Sequence, residues 1–319
     1  MLFLFSHVYT IDDLRQFQSL PLEAKVTMSM SRIQDAYKRF KGDMFVSVSG
    51  GKDSDVLDHL VHEMYPDVPR VFVDTGLEYP EVRKHALAKP DVIRLTPEKS
   101  FKEVLSTYGY PVISKDVAGT IEAARRGASW AKNKLKGKSA DGTDSQFLAS
   151  RFSRYEALLN APFLISEKCC GVMKERPVIL YERQTGRYPY IATLACESQR
   201  RTEAWMRTGC NAFYSCRPHS TPLSVWTEQD ILQYIKTRNL PIASVYGDIV
   251  EGNDGKLMLT GLKRTGCMFC MFGAQVEKQP NRFQRMKESH PKQYAFCMRP
   301  PEENGLGLDS VLTYLGIPH

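Results

Sequence analysis

A hexapeptide, Ser49-Gly50-Gly51-Lys52-Asp53-Ser54, stands between a short apolar run and a stretch of helical periodicity. The run, Met44–Val48, has the length and valine content of a buried strand. Asp55–Met64 places its apolar residues at helical spacing. Two adjacent glycines let the backbone take positive φ and approach a ligand closely. A helix opening just after them presents unpaired N–H groups and the positive end of its dipole. Ser49, Lys52 and Ser54 add donors, and the whole reads as a cradle for phosphate or pyrophosphate. It is not a Walker A loop, because the G-x-x-x-x-G-K-[ST] spacing is missing.

The pattern around the loop sets the fold class. Arg70–Asp74 and Val92–Leu95 read as further strands, with helices at Glu81–Ala88 and from Ser100. This alternation predicts an α/β fold, a parallel sheet with helices on both faces. Ligands of such sheets bind outside the carboxyl ends of the strands. Residues 10–40 read as helical, with Thr10 as N-cap. Thr227 caps another helix, and residues 280–298 read as one more. Residues 126–150, with Lys132, Lys134, Lys136 and Lys138 among small and polar residues, read as a mobile basic insertion. It could reach a polyanion, close over a nucleotide, or be simply solvated. The expected domains are a helical segment 1–40, an α/β domain 41–250, and a helical, cysteine-bearing part 251–319.

Composition bounds the rest. The 319 residues are 42% apolar and 25% charged, with a net charge of +7. This is a globular composition rather than a disordered one. The moderate positive charge suits anionic small molecules or a nucleic acid. No apolar stretch is long enough to span a membrane. The N-terminal MLFLFSHVYT lacks the marks of a signal peptide and reads as a core strand or docking segment. A cytoplasmic location is expected. The eight cysteines then favour metal binding or thiol chemistry over a disulfide framework. Cys169-Cys170 and Cys267-x-x-Cys270 supply four thiolates for zinc or an iron–sulfur cluster. Cys196, Cys210 and Cys216 have no metal spacing.

The hexapeptide resembles the PP-loop, S-G-G-x-D-S, of ATP pyrophosphatases and their relatives. Asp74-Thr75-Gly76-Leu77-Glu78-Tyr79-Pro80-Glu81 resembles the D-T-G-x-x-(F/Y)-P-E segment of the same superfamily. That resemblance implies that this edge, with Asp74, Thr75 and Gly76, lies by the adenine and ribose. The C-C … C-x-x-C pattern is similar to the cluster motif of adenylylsulfate reductases, in which all four cysteines hold one [4Fe–4S] cluster. Lys174 then falls where that family places a lysine between cluster and substrate. Pro222-Leu223, Trp226, Asp230, Tyr234-Ile235, Tyr246 and Arg264-Thr265-Gly266-Cys267 follow further family patterns.

The resemblance is to the phosphoadenylylsulfate (PAPS) and adenylylsulfate reductase family, in its cluster-bearing form. The nucleotide loop with the cysteines also resembles PP-loop enzymes that activate a target with ATP and then install sulfur, which implies that Lys52 neutralises phosphate charge and that Asp53 holds a magnesium ion. Glu197–Glu203 is similar to the family's arginine-bearing segment, in which Arg200 or Arg201 would bind a sulfate or phosphate. The family's C-terminal E-C-G-(I/L)-H segment, with its catalytic cysteine, is missing. The cysteine of the tail, Cys297, reads as a helix-packing residue.

The expected function is therefore sulfur transfer driven by ATP-dependent adenylation, onto nucleic acid in the manner of tRNA thiolation or DNA phosphorothioation. One alternative is a reductase that makes sulfite from adenylylsulfate or phosphoadenylylsulfate. Another is a non-catalytic nucleotide-binding subunit of a sulfur-modification complex. The partners implied are an adenine nucleotide, a nucleic acid, and a cysteine desulfurase or other sulfur donor. A homo-oligomer or a larger complex is compatible with all three.

Overall fold

The computed structural model describes residues 9–319. The expected N-terminal strand or docking segment lies largely outside the described residues. The chain divides into two compact units. One comprises the residues up to Thr96 together with Val178–Thr265. The other comprises Pro97–Pro177 and Gly266–His319.

The first unit is built on a six-stranded sheet. Its first three strands are β1 (Met44–Val48), β2 (Arg70–Val73) and β3 (Val92–Leu95). β1 lies centrally, with β2 and then β3 on one side and the Tyr188–Tyr190 strand on the other. All these pairings are parallel. The sheet continues through His219–Ser220 to Asn211–Ala212, and this last pairing is antiparallel. The expected parallel sheet is present, with an antiparallel edge. Met44, Phe45 and Val46 are fully buried, as befits a parallel strand covered on both faces. Leu57 and Leu60 on the Lys52–Met64 helix are also fully buried, worth about 2 kcal/mol each.

Two polar ties fasten the surrounding helices. Lys25 Nζ meets Asp230 Oδ2 at 2.7 Å, joining the Leu22–Arg39 helix to the Glu228–Arg238 helix. The Trp226 indole N–H donates to Ser29 Oγ at 2.9 Å. Thr227 caps its helix as expected, in a reciprocal capping box with Asp230.

The second unit is mainly helical. Residues 126–150, expected as a loop, instead carry helix Ser129–Leu135 and the start of helix Gln146–Phe152. Ala131 and Leu135, four residues apart, are buried, and Ser145 caps the second helix. The basic residues are partly spent there: Lys134 pairs with Asp116 at 2.7 Å and lies over the Phe152 ring. Residues 280–298, expected as one helix, form two, Arg282–Ser289 and Pro291–Met298. Pro291 has no N–H to continue the first helix and starts the second. The Arg125 guanidinium donates to the carbonyls of Leu158, Leu159, Ala161 and Phe163, and so holds the return of the chain after those helices.

Candidate functional site

The strand order of the first unit reverses at β1. From β1 the chain winds outward through β2 and β3, then returns to the far side of β1 at Tyr188–Tyr190. The carboxyl ends of β1 and of that strand flank the switch point where α/β sheets bind ligands. Ser49–Ser54 leaves β1 there, and the segment leading to Arg200 and Arg201 leaves the other strand.

The loop is held in shape by its own hydroxyls. Ser54 Oγ accepts the Ser49 N–H at 3.2 Å and donates to the Gly51 carbonyl at 2.7 Å. Ser49 Oγ accepts the Gly51 N–H at 3.2 Å. Gly50 is required: its φ is +72°, and a Cβ there would stand 2.5 Å from the Val82 carbonyl oxygen. Gly51 caps the Lys52–Met64 helix without a side-chain acceptor. No side chain caps that helix, and an uncapped helix N-terminus suits an anion.

One of them already has a protein partner. The Lys52 N–H donates to the Tyr246 hydroxyl at 3.3 Å, and that hydroxyl lies 2.6 Å from Thr265 Oγ1. Burial, first of all, pushes the Tyr246 phenol up to about 12, so it stays protonated. The Lys52 side chain is buried, with Nζ 3.0 Å from Asp53 Oδ1 and 3.8 Å from Glu228 Oε1.

The second segment is equally ordered. Thr75 Oγ1 donates to Glu78 Oε1 at 2.7 Å and accepts the Leu77 N–H at 3.1 Å. Gly76 takes φ +72° with open space where a Cβ would be. Asp74 is buried and gripped by Arg83 through both oxygens, each at 2.8 Å, and by Arg94 at 2.7 Å. Burial raises its carboxyl pKa, but the Arg83 and Arg94 contacts outweigh that and hold it below the usual range. Its carboxylate thus anchors local structure.

Ser198 caps the helix Gln199–Thr208, which carries both arginines. Arg201 pairs with Glu197. Desolvation lowers the Arg201 pKa, as does the neighbouring Arg264, while Asp53 of the loop opposes them. Arg201 thus lies within electrostatic range of both Arg264 and Asp53. Arg200 is exposed and shares a cavity of about 370 Å³ with Arg201, Ser198 and His219.

The four cysteines lie together in the second unit. Burial raises the Cys169 thiol pKa, and Cys170, Cys267 and Cys270 add to that rise, while Lys174 opposes it. Cys270 N–H donates to the Cys267 carbonyl at 3.2 Å, closing the C-x-x-C turn, and its own carbonyl accepts from Arg282 at 2.8 Å. Lys174 sits on a π-helical turn, Gly171–Glu175, directly after Cys169-Cys170. Such turns recur at functional sites. Four mutually interacting thiols are the donor chemistry of zinc and iron–sulfur centres. Among the described residues, no group of three or more His, Cys, Asp or Glu is arranged to hold a metal ion. Cys297 is fully buried, donates to the Tyr294 carbonyl, and has its thiol pushed up to about 12 by burial.

Tyr246, Arg264 and Glu197 fall within the family-like patterns, but no local signal gives them or Glu228 a contact near the loop. Each reaches the loop region through tertiary contacts, the Tyr246 bond spanning 194 residues.

The strand–loop–helix at the switch point belongs to an α/β sheet of the expected class. Residues 43–112, which include Ser49–Ser54 and Asp74–Glu81, match the phosphoadenosine phosphosulfate reductase domain. That segment, about a fifth of the chain, is where the similarity to the family lies. The match ends before the arginines and the cysteines. Among solved structures the chain is similar to phosphoadenylyl-sulfate (PAPS) reductase from Candida auris in a phosphate complex. The identity is 13% over 74% of this chain and 90% of that one, with a TM-score of 0.38. No curated protein matches the chain. No helix among the described residues is long and apolar enough to cross a membrane.

Proposed function

We propose that the chain is an enzyme that binds ATP at Ser49–Ser54 and uses it to activate an acceptor for sulfur transfer. The reading rests chiefly on the loop at the switch point, whose uncapped helix N-terminus and flanking Arg201 suit a phosphate chain. An acceptor oxygen attacks the α-phosphorus and pyrophosphate leaves. Hydrosulfide then displaces AMP, which carries the oxygen away; a persulfide would attack through its outer sulfur, and a reducing thiol would cleave the acceptor–S–S–donor bond that results. AMP is a far better leaving group than a bare oxygen, and the protein contributes position and charge stabilisation.

Within that scheme the loop amides hold the phosphates. Lys52 offsets their charge from its place beside Asp53, and Asp53 is the candidate ligand for a magnesium ion. Cys169, Cys170, Cys267 and Cys270 would hold a [4Fe–4S] cluster, which supplies electrons or a site for sulfide when bound. Lys174 beside these thiols places a positive charge where an anionic sulfur species would arrive. The net charge of +7 favours a nucleic-acid acceptor, from which salt should release the protein steeply. The buried Cys297 thiol disfavours a reductase that uses it as nucleophile.

The test is anaerobic purification with iron and sulfide analysis, followed by incubation with ATP or adenylylsulfate plus reductant and candidate RNA or DNA. Four irons per chain and pyrophosphate released from ATP are expected. Sulfite released from adenylylsulfate, with no pyrophosphate from ATP, would replace this reading with the reductase one.

A further inference from the structure

Among the described residues, Arg264 has most of its hydrogen-bonding capacity unspent. Its partner is Glu197, at 3.8 Å from Nη1 to Oε1, an ion-pair distance too long for a hydrogen bond. Its side chain is 64% exposed. Arg201 closes on the other oxygen of the same carboxylate. Glu197 itself is held in place, accepting the Leu194 N–H at 3.3 Å. One fixed carboxylate therefore anchors two guanidinium groups.

The pair belongs to the phosphate loop. A Cβ built on Gly51 would stand 3.8 Å from Thr265 Oγ1, and Arg264 is the preceding residue. Thr265 meets the Tyr246 hydroxyl that receives the Lys52 N–H. The surrounding charges are Lys52, Arg201 and Arg264 against Asp53, Glu228 and Glu197. Lys52 is matched by Asp53 and Glu228, which leaves the two arginines with Glu197 between them. The six charges balance overall, with the positive excess local to the two forks around Glu197, whose remaining N–H donors suit a tetrahedral oxyanion.

We propose that Arg264, paired with Arg201 across Glu197, grips the anionic group that the bound nucleotide carries beyond its α-phosphate. The assignment rests on the nucleotide reading above and names the ligand chemistry that it needs: a phosphate or sulfate joined by an anhydride bond to adenosine 5′-phosphate. AMP lacks that group and does not meet Arg264.

Calorimetric titration of the full chain with AMP, ATP and adenylylsulfate tests it, for the wild type, Arg264→Ala and Arg264→Lys. Arg264→Ala should weaken ATP, adenylylsulfate or both by about tenfold or more and leave AMP unchanged, so AMP also reports that the variant is folded. Arg264→Lys should fall between, because an ammonium keeps the charge and loses the fork. A loss confined to ATP identifies a phosphate chain as the ligand, and a loss confined to adenylylsulfate identifies sulfate. Equal affinities of wild type and Arg264→Ala for ATP and adenylylsulfate would overturn the role of Arg264 alone. A wild type that binds none of the three would overturn the nucleotide reading and this inference with it.

Discussion

The backbone N–H of Lys52, at the mouth of the phosphate loop, donates to the hydroxyl of Tyr246 at 3.3 Å across 194 residues of sequence. The same hydroxyl lies 2.6 Å from Thr265 Oγ1, so one phenol joins the loop to the segment bearing Arg264. Tyr246→Phe keeps the packing among Val82, Leu232 and Ala243 but leaves a buried N–H without its partner. Such a loss costs about 1–2 kcal/mol. Urea unfolding should show a lower midpoint with an unchanged slope; an unchanged midpoint would mean that the hydroxyl bond contributes nothing.

Gly50→Ala should be far more damaging than Gly76→Ala at the loop. Both glycines have φ of +72°, but only Gly50 would drive its new methyl into the Val82 backbone. Strain of this kind costs about 1–3 kcal/mol. The Gly50 variant should melt lower than the Gly76 variant and lose phosphate binding. Equal melting temperatures would contradict the crowding described here.

The Lys52–Met64 helix carries an acid-sensitive lock. Asp58 meets Arg70 at 2.8 Å, and His62 and Lys89 each at 3.0 Å. Burial raises its carboxyl pKa, but hydrogen bonds and charges from His62 and Lys89 bring it down to about 2 from the ordinary 3.8. Because the folded value lies below the unfolded one, the unfolded chain binds the proton first as pH falls. The stabilisation, about 2 kcal/mol, is present above pH 4 and disappears as pH falls through about 2. His62 has the opposite sign. Its folded pKa is raised, so its contribution is full below about 6.5 and lost as pH rises through the folded value. Melting temperatures of wild type and Asp58→Asn should converge toward pH 2 and separate at pH 5; a constant gap would refute the lock.

Cysteine substitutions should divide into two groups. Cys170→Ala or Cys270→Ala should lower bound iron after anaerobic reconstitution, read by the visible spectrum and by iron analysis. Cys297→Ala should leave iron and pyrophosphate release intact and cost about 1–2 kcal/mol through the small cavity it creates. Loss of turnover without loss of stability in that variant would restore Cys297 as a nucleophile.

Much of the first unit could be read from local signals. The valines of β1, the paired glycines and the helical spacing after them are all short-range features, and they appear where the periodicity places them. Residues 126–150 were not legible as helix, because four lysines mask an apolar pair, Ala131 and Leu135, that is too short to register as periodicity. Pro291 could have announced the break between the two C-terminal helices, since it cannot continue the first. The D-T-G segment marked the end of β2, yet nothing local indicates that the Asp74 carboxylate is committed to Arg83 and Arg94.

What the sequence by itself determined is the strand–loop–helix with its glycines, the supply of thiols, and the caps of individual helices, since these depend on neighbours within a few positions. What only the tertiary structure decided is which groups meet the loop and its neighbours: Tyr246 on the Lys52 amide, and Arg201 and Arg264 on the two oxygens of Glu197. Hydrogen bonds and desolvated ion pairs act over a few ångströms. Residues far apart in the chain acquire such roles only when the packing of sheet and helices sets the distance between them.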